Sequence, residues 1–347
     1  MNTLSLAQYN RACEEAVYNL YLYATTNHIP EKNICLGSLV EKLKNNDDKK
    51  TKILKKACEN ESGTAKSILR HFIYIPGGIT ACVFIRPDEE VSFVFKGTAS
   101  GEWIDNGKGL SGIPQKHKYI KYDYASGKKY DIVKSNDFST TQQVQALNIF
   151  NGIIFKDKAL HNRKITVSGH SKGGNKAQFI AMKSDSVKSC FSFNGQGFSP
   201  EAIKMFESES GSAFWKKCDK IKSLCSENDY VNVLGKRLVY DKNTYYFSTH
   251  GGIHPISSLM NTETILNPYT GRGLLSDYIS SLSDKVMSLA PSARKYATLG
   301  IMNIFQKYIS ETNSLNDDIG DIQSTISEIS VAANKILKNI GHDKFFI

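Results

Sequence analysis

The sequence predicts an α/β fold, a mostly parallel sheet covered by helices, and three observations carry that prediction. Between about residues 90 and 235, short β-favouring runs alternate with helical patterns, the order that builds a parallel sheet with helices on both faces. The run VSFVF (91–95) is apolar nearly throughout, as suits a strand covered on both faces. The two ends read mostly as helix. The expected organisation is therefore a helical N-terminal segment (1–70), an α/β core (71–270) and a helical C-terminal extension (271–347).

Each element follows from its pattern. SLAQYNRACEEAVYNLYLYA places Leu6, Tyr9, Ala12, Ala16, Leu20 and Leu22 at roughly helical spacing, and 38–58 is a Lys-rich amphipathic segment. From about residue 72 the character changes: FIYIPGGITACVFIRPDEEVSFVFKGT is β-rich, and the polar RPDEE between two apolar runs marks a hairpin. Residues 107–137 show little periodicity and are expected to be a loop. A helix is expected from about Ser139, with Val144, Leu147, Phe150 and Ile154 on one face. Strands at 164–169, 187–195 and 220–229 then alternate with helices at 173–183 and over EAIKMFESES. From about residue 274 the patterns are helical throughout.

In that last part Leu315, Ile319, Ile322, Ile326, Ile329, Ala333, Ile336 and Ile340 alternate spacings of four and three, a heptad seam. Two readings suit it: a long helix packed on the chain's own helices, or a docking face for a helical protein partner at 310–347. Gly320 inside the pattern weakens an isolated helix there.

Composition narrows the function classes. With 40% hydrophobic and 22% charged residues the chain reads as an ordinary globular protein. Seven scattered cysteines without a CxxC pair read as reduced thiols, so neither a disulfide framework nor a metal site is expected, and no cofactor motif is present. MNTLSLAQYNRACEEAV starts a charged helix rather than a secretory leader, and no run of about 18 apolar residues exists to span a membrane. The expected location is the cytoplasm, or outside the cell by export without a cleavable leader. The net charge of +10 suits a solvated basic face or peripheral contact with an anionic membrane. No nucleic-acid-binding signature accompanies it.

The chemistry concentrates at ITVSGHSKGGNKAQFIAM (165–182), where a Gly-x-Ser-x-Gly lies between a strand and a helix. That setting is a nucleophile elbow: Gly169 and Gly173 let the backbone fold back, and Ser171 sits at the turn. The helix behind it turns free N–H groups toward a developing oxyanion, the first being that of Lys172. A serine needs a histidine to take its proton and a carboxylate to hold the histidine, in the chain order Ser, acid, His. KIKSLCSENDYV supplies the acid after a strand: Asp229, with Glu227 as runner-up. FSTHGGIHPISSLM supplies the base: His254, preorganised by Pro255, with His250 as runner-up. His170 is expected to point away from the nucleophile and to be structural. A second donor is expected after VSFVFKG, from the Thr98 backbone N–H.

FVFKGTASGEWIDN, ITVSGHSKGGNKA and SEND together resemble the class 3 (fungal-type) lipase family, in its bacterial branch, over roughly residues 70–260. The resemblance implies an α/β-hydrolase fold and hydrolysis of lipid or other acyl esters through an acyl-enzyme. It carries nucleophile, acid and base onto Ser171, Asp229 and His254, and oxyanion donors onto Thr98 and Lys172. It also carries onto Asp105 the acidic residue that braces the oxyanion loop. Lys96 and Lys172 depart from the family's usual Arg and Leu, and Lys172 is expected to place a cation at the site mouth. The lid helix of the family is not identifiable; 107–137 is the candidate for that role. Alternatives are a soluble carboxylesterase or thioesterase, and a hydrolase-fold protein that chiefly binds a partner through its C-terminal helices.

Overall fold

The computed structural model describes residues 2–25, 29–43, 48–59, 63–76, 78–97, 103–123, 128–249, 253–311 and 319–339. Three helices open the chain: α1 (Leu6–Ala24), α2 (Leu36–Glu41) and α3 (Lys49–Glu59). Ser5 begins α1 with a reciprocal capping box to Gln8, which satisfies two otherwise orphaned backbone donors. An antiparallel meander follows, β1 (Ile68–Tyr74), β2 (Thr80–Ile85) and β3 (Val91–Phe95), its second turn at the polar RPDEE.

The described residues of 107–137 depart from the expected loop. Trp103–Ser111 is a helix (α4), and β4 (Gln115–Asp123) pairs antiparallel with β5 (Lys128–Asp137) as a two-stranded sheet apart from the main one. The reason is compositional: QKHKYIKYD and KKYDIVKSND interleave Tyr, Ile and Val with charges, and such residues favour strands. The charges hid this signal from a search for apolar runs.

The alternating part follows as α5 (Thr141–Lys156), β6 (Ile165–His170), α6 (Lys172–Lys183), β7 (Val187–Phe193), α7 (Pro200–Ser210), α8 (Phe214–Asp219), β8 (Ile221–Ser226) and β9 (Thr244–Phe247). A small hairpin of β10 (Met260–Asn261) and β11 (Ile265–Leu266) precedes β12 (Tyr269–Thr270). Helices α9 (Leu274–Met287), α10 (Pro291–Glu311) and α11 (Ile319–Asn339) complete the described chain.

The main sheet has eight strands in the order β1-β2-β3-β6-β7-β8-β9-β12. Its five central strands, β3 to β9, are parallel, and the edges are antiparallel. Side chains alternate between its faces with the period of two that a strand imposes. Cys82 and Phe84 of β2 pack with α1 and its neighbours, whereas Ala81 and Val83 face the side of α5 and α6. Central strands β3 and β6 are buried along their whole length.

A third apolar cluster lies beyond the sheet. It joins Trp103 and Leu110 of α4, Tyr230 and Ile253, and α9–α11 through Leu275, Ala297, Ile301, Ile322, Ile329 and Ala333. Ile322, Ile329 and Ala333 of the heptad seam are buried there, with Ile326 partly buried, so this stretch of the seam packs on the chain's own helices. Leu315 and Ile340 lie outside the described residues. No helix among the described residues is long and apolar enough to cross a membrane.

Candidate active site

The site is assembled where the parallel strands end, the position at which open α/β sheets present their functional loops. Strand β6 runs directly into Ser171, and α6 begins at the next residue. Ser171 has φ 59° and ψ −126°, a conformation that non-glycine residues adopt rarely and at a cost of roughly 1–3 kcal/mol. The surroundings enforce it: the Ser171 N–H donates to the Phe193 carbonyl at 2.9 Å. A Cβ on Gly173 would collide with the Phe95 carbonyl, and one on Gly169 with the Gly173 backbone. Glycine at both positions is therefore a packing requirement.

His254 closes the distance. Its Nε2 lies 3.0 Å from Ser171 Oγ, and its Nδ1 lies 2.5 Å from Asp229 Oδ2. With Nδ1–H donating to the carboxylate, Nε2 is free to accept the serine proton. Asp229 is fully buried, and its other oxygen accepts from the Val231 and Asn232 backbone N–H groups at 2.8 and 2.7 Å and from Asn232 Nδ2 at 3.2 Å. Those donors fix the carboxylate's orientation toward the histidine. Ser276 of α9 donates its hydroxyl to the Asp229 carbonyl.

Runner-up Glu227 has a different occupation. It accepts from the Thr249 N–H at 3.1 Å and so ties the start of the histidine loop to the end of β8. Both His250 and Thr98 lie outside the described residues. Lys172 is the first residue of α6, so its N–H has no partner within the helix and is available to an oxyanion.

The Lys172 side chain corrects the sequence expectation. It is 1% exposed, and its ammonium sits 3.2 Å from Asp105 Oδ2 on the first turn of α4. The cation faces inward, away from the mouth. The physical reason is that the Lys172 side chain reaches α4, its ammonium lying beside Asp105 and Gly109, and an unpaired buried ammonium would be too costly. Asp105 accordingly meets the elbow helix; the loop it was expected to brace, 98–102, lies outside the described residues.

Three residues the sequence reading passed over or set aside support the site. His170 does turn from Ser171, yet its ring packs 4.8 Å from that of His254 and its Nε2 donates to the His254 carbonyl at 2.7 Å. Burial pushes its pKa well below the usual imidazole value, and the neighbouring His254 lowers it further. Asn194, itself at φ 48°, donates to the same carbonyl at 3.1 Å. Tyr23 of α1 places its hydroxyl 3.0 Å from His170 Nδ1 and 2.9 Å from the Gly97 N–H. No local signal marked Tyr23, whose partners are 74 and 147 positions away. Among the described residues no His, Cys, Asp and Glu group of three or more could hold a metal ion.

With a parallel-centred sheet, a strained serine between strand and helix, and an acid and histidine that follow it in chain order, the chain has the α/β-hydrolase fold. A family model described as Mbeg1-like matches residues 126–236, the stretch that includes both Ser171 and Asp229. No curated protein matches the chain. Among solved structures it is similar to the Lip2 lipase from Yarrowia lipolytica, at 11% identity over 85% of this chain and 94% of that one, with a TM-score of 0.44. It is similar also to lipase II from Rhizopus niveus, at 13% identity over 72% and 81% of the two chains, TM-score 0.39. A triacylglycerol lipase from Penicillium expansum matches at 9% identity over 79% and 96%, TM-score 0.37.

Proposed function

We propose that this protein is a serine hydrolase that cleaves acyl esters, with lipid esters as its substrate class. The observation that carries the reading is the chain of contacts from Ser171 Oγ to His254 to the buried Asp229. Ser171 Oγ attacks the ester carbonyl carbon while its proton passes to His254 Nε2. Asp229 holds Nδ1–H and stabilises the imidazolium that forms. The Lys172 N–H, with the Thr98 N–H as second donor, stabilises the oxyanion. On collapse the alcohol leaves with the proton from His254, and the acyl group stays on Ser171. Water, deprotonated by the same histidine, then releases the acid and restores the serine.

Lipid esters are favoured by the resemblance of FVFKGTASGEWIDN, ITVSGHSKGGNKA and SEND to class 3 lipases, and by a net charge of +10 that attracts anionic surfaces. A fluorophosphonate probe should label the wild type and leave Ser171→Ala unlabelled. A folded wild type that resists labelling, with and without detergent, would overturn the hydrolase reading. A panel of p-nitrophenyl esters of rising chain length and intact phospholipid vesicles, anionic and neutral, then separates lipid hydrolysis from action on short soluble esters.

A further inference from the structure

We propose that Tyr23 and His170 are positioning residues that form one buried anchor between the two arms of the site, the end of β3 and the histidine loop. The anchor itself is a matter of hydrogen-bond geometry; its kinetic consequence rests on the hydrolase reading above.

Two of the three hydrogen bonds have a forced direction, and the third follows from the charge state of the ring. The Gly97 N–H can only donate, so the Tyr23 hydroxyl oxygen accepts from it at 2.9 Å. With His170 kept neutral by its burial, its Nδ1, 3.0 Å away, accepts the hydroxyl proton of Tyr23. The His254 carbonyl can only accept, so His170 Nε2, at 2.7 Å, carries the ring's proton. Neutral His170 in its Nε2–H tautomer satisfies all three bonds, and burial of the ring disfavours the imidazolium.

Both ends of this chain need an anchor. Gly97 lies beyond the end of β3, and His254 lies between β9 and the short turn at Ile256–Leu259. Neither residue is itself held by the pairing of a strand or the bonds of a helix. The anchor fixes the His254 backbone by its carbonyl, with Asn194 bonding the same oxygen from the other side at 3.1 Å. Asn194 is in turn held by the Ser226 N–H, which donates to its Oδ1 at 2.7 Å. Tyr23 meets the His170 ring edge-on, and the Lys96 ammonium lies 5.1 Å from its ring centroid, so the phenol has little freedom. The base is thus held at its ring by Asp229 and at its backbone by His170 and Asn194, with Tyr23 of α1 bracing His170 from outside the α/β core.

NMR of the protein labelled with 15N-histidine, run beside ester kinetics and thermal denaturation, tests the proposal. In the wild type at neutral pH, His170 should be the neutral Nε2–H tautomer. Tyr23→Phe should melt within a few degrees of wild type, shift the His254 ring resonances, and lower kcat about tenfold with KM within about twofold, the size of effect one lost hydrogen bond supports. His170→Gln keeps an amide N–H for the His254 carbonyl and should retain more activity than His170→Leu. An imidazolium or Nδ1–H tautomer in the wild type overturns the anchor, and so does a folded Tyr23→Phe with wild-type kcat. If Tyr23→Phe does not fold, the tautomer and the ranking of the two His170 variants decide. A wild type with the expected tautomer but no fluorophosphonate labelling overturns the hydrolase reading and leaves the anchor standing.

Discussion

The ammonium of Lys172 and the carboxylate of Asp105 form a buried ion pair, 3.2 Å apart, that joins the first turn of the elbow helix to α4. Neither Lys172 Nζ nor Asp105 Oδ2 has a hydrogen-bond partner of good geometry, so each depends on the other's charge. Removing one member should therefore cost far more than removing both. Lys172→Leu alone is expected to destabilise by about 3–5 kcal/mol, because it strands a buried carboxylate. Lys172→Leu with Asp105→Leu is expected to recover most of that loss or exceed the wild type. Denaturant titrations of the wild type, Lys172→Leu, Asp105→Leu and the double variant measure the coupling; additive losses would mean that the pair is not mutually dependent.

The elbow glycines predict a sharper result. In Gly173→Ala the added Cβ meets the Phe95 carbonyl, a backbone atom of β3 that cannot swing aside. The change should destabilise by about 1–3 kcal/mol or more and displace Ser171 from His254. Melting temperature and probe labelling should both fall. Ala at Gly211, where an added Cβ meets no atom within 4 Å although φ is +51°, should spare labelling.

The helical C-terminal region offers a matched pair on one helix. Ile329 is 3% exposed in the third cluster, whereas Val331, two positions on, is 70% exposed. Ile329→Ala should cost about 2–5 kcal/mol. Val331→Ala should stay within about 0.5 kcal/mol of wild type. Equal effects in thermal melts would indicate that α11 does not pack as described.

Asp157, at the C-terminal cap of α5, ties that helix to β1. Its carboxylate accepts from Arg70 Nε at 2.7 Å and Nη2 at 3.1 Å, from His71 at 2.7 Å and from the Ala159 N–H at 3.1 Å. These bonds, that from Arg70 foremost, hold its pKa well below the ordinary carboxylate range. A depressed folded-state pKa contributes stability that is present above the unfolded value, about 4, and is lost as pH falls through the folded one. Asp157→Asn should thus be less stable than wild type at pH 7, and the gap should narrow steadily below about pH 4. A gap independent of pH from 7 to 2 would remove the carboxylate's charge from the explanation.

Much of this architecture was legible because its signals are local. The alternation of VSFVF, ITVSGH and VKSCFSF with helical patterns is written in side-chain period, and the elbow is written in two glycines four residues apart. The order Ser171, Asp229, His254 needed only a rule of chain order to pick candidates that the fold then brings within hydrogen-bonding distance. What escaped was non-local. Lys172 looks like a surface cation until α4 is known to pack over it. Tyr23 looks like one more helix aromatic until β6 is known to pass beneath α1. The 115–137 hairpin escaped for a local reason, since charges interleaved with Tyr and Ile masked its strand pattern.

The third apolar cluster has a consequence for the growing chain. Trp103, Tyr230 and Ile253 emerge from the ribosome well before Ile322, Ile329 and Ala333, which bury the same cluster. During that interval the nascent protein can already hold its serine, acid and base, yet it displays an uncovered apolar surface beside them. Such surface is what makes partly synthesised chains aggregate and what chaperones recognise. The late helices therefore determine how long a newborn molecule is vulnerable, and a ribosome stalled before α11 should release a sticky protein rather than a smaller functional one.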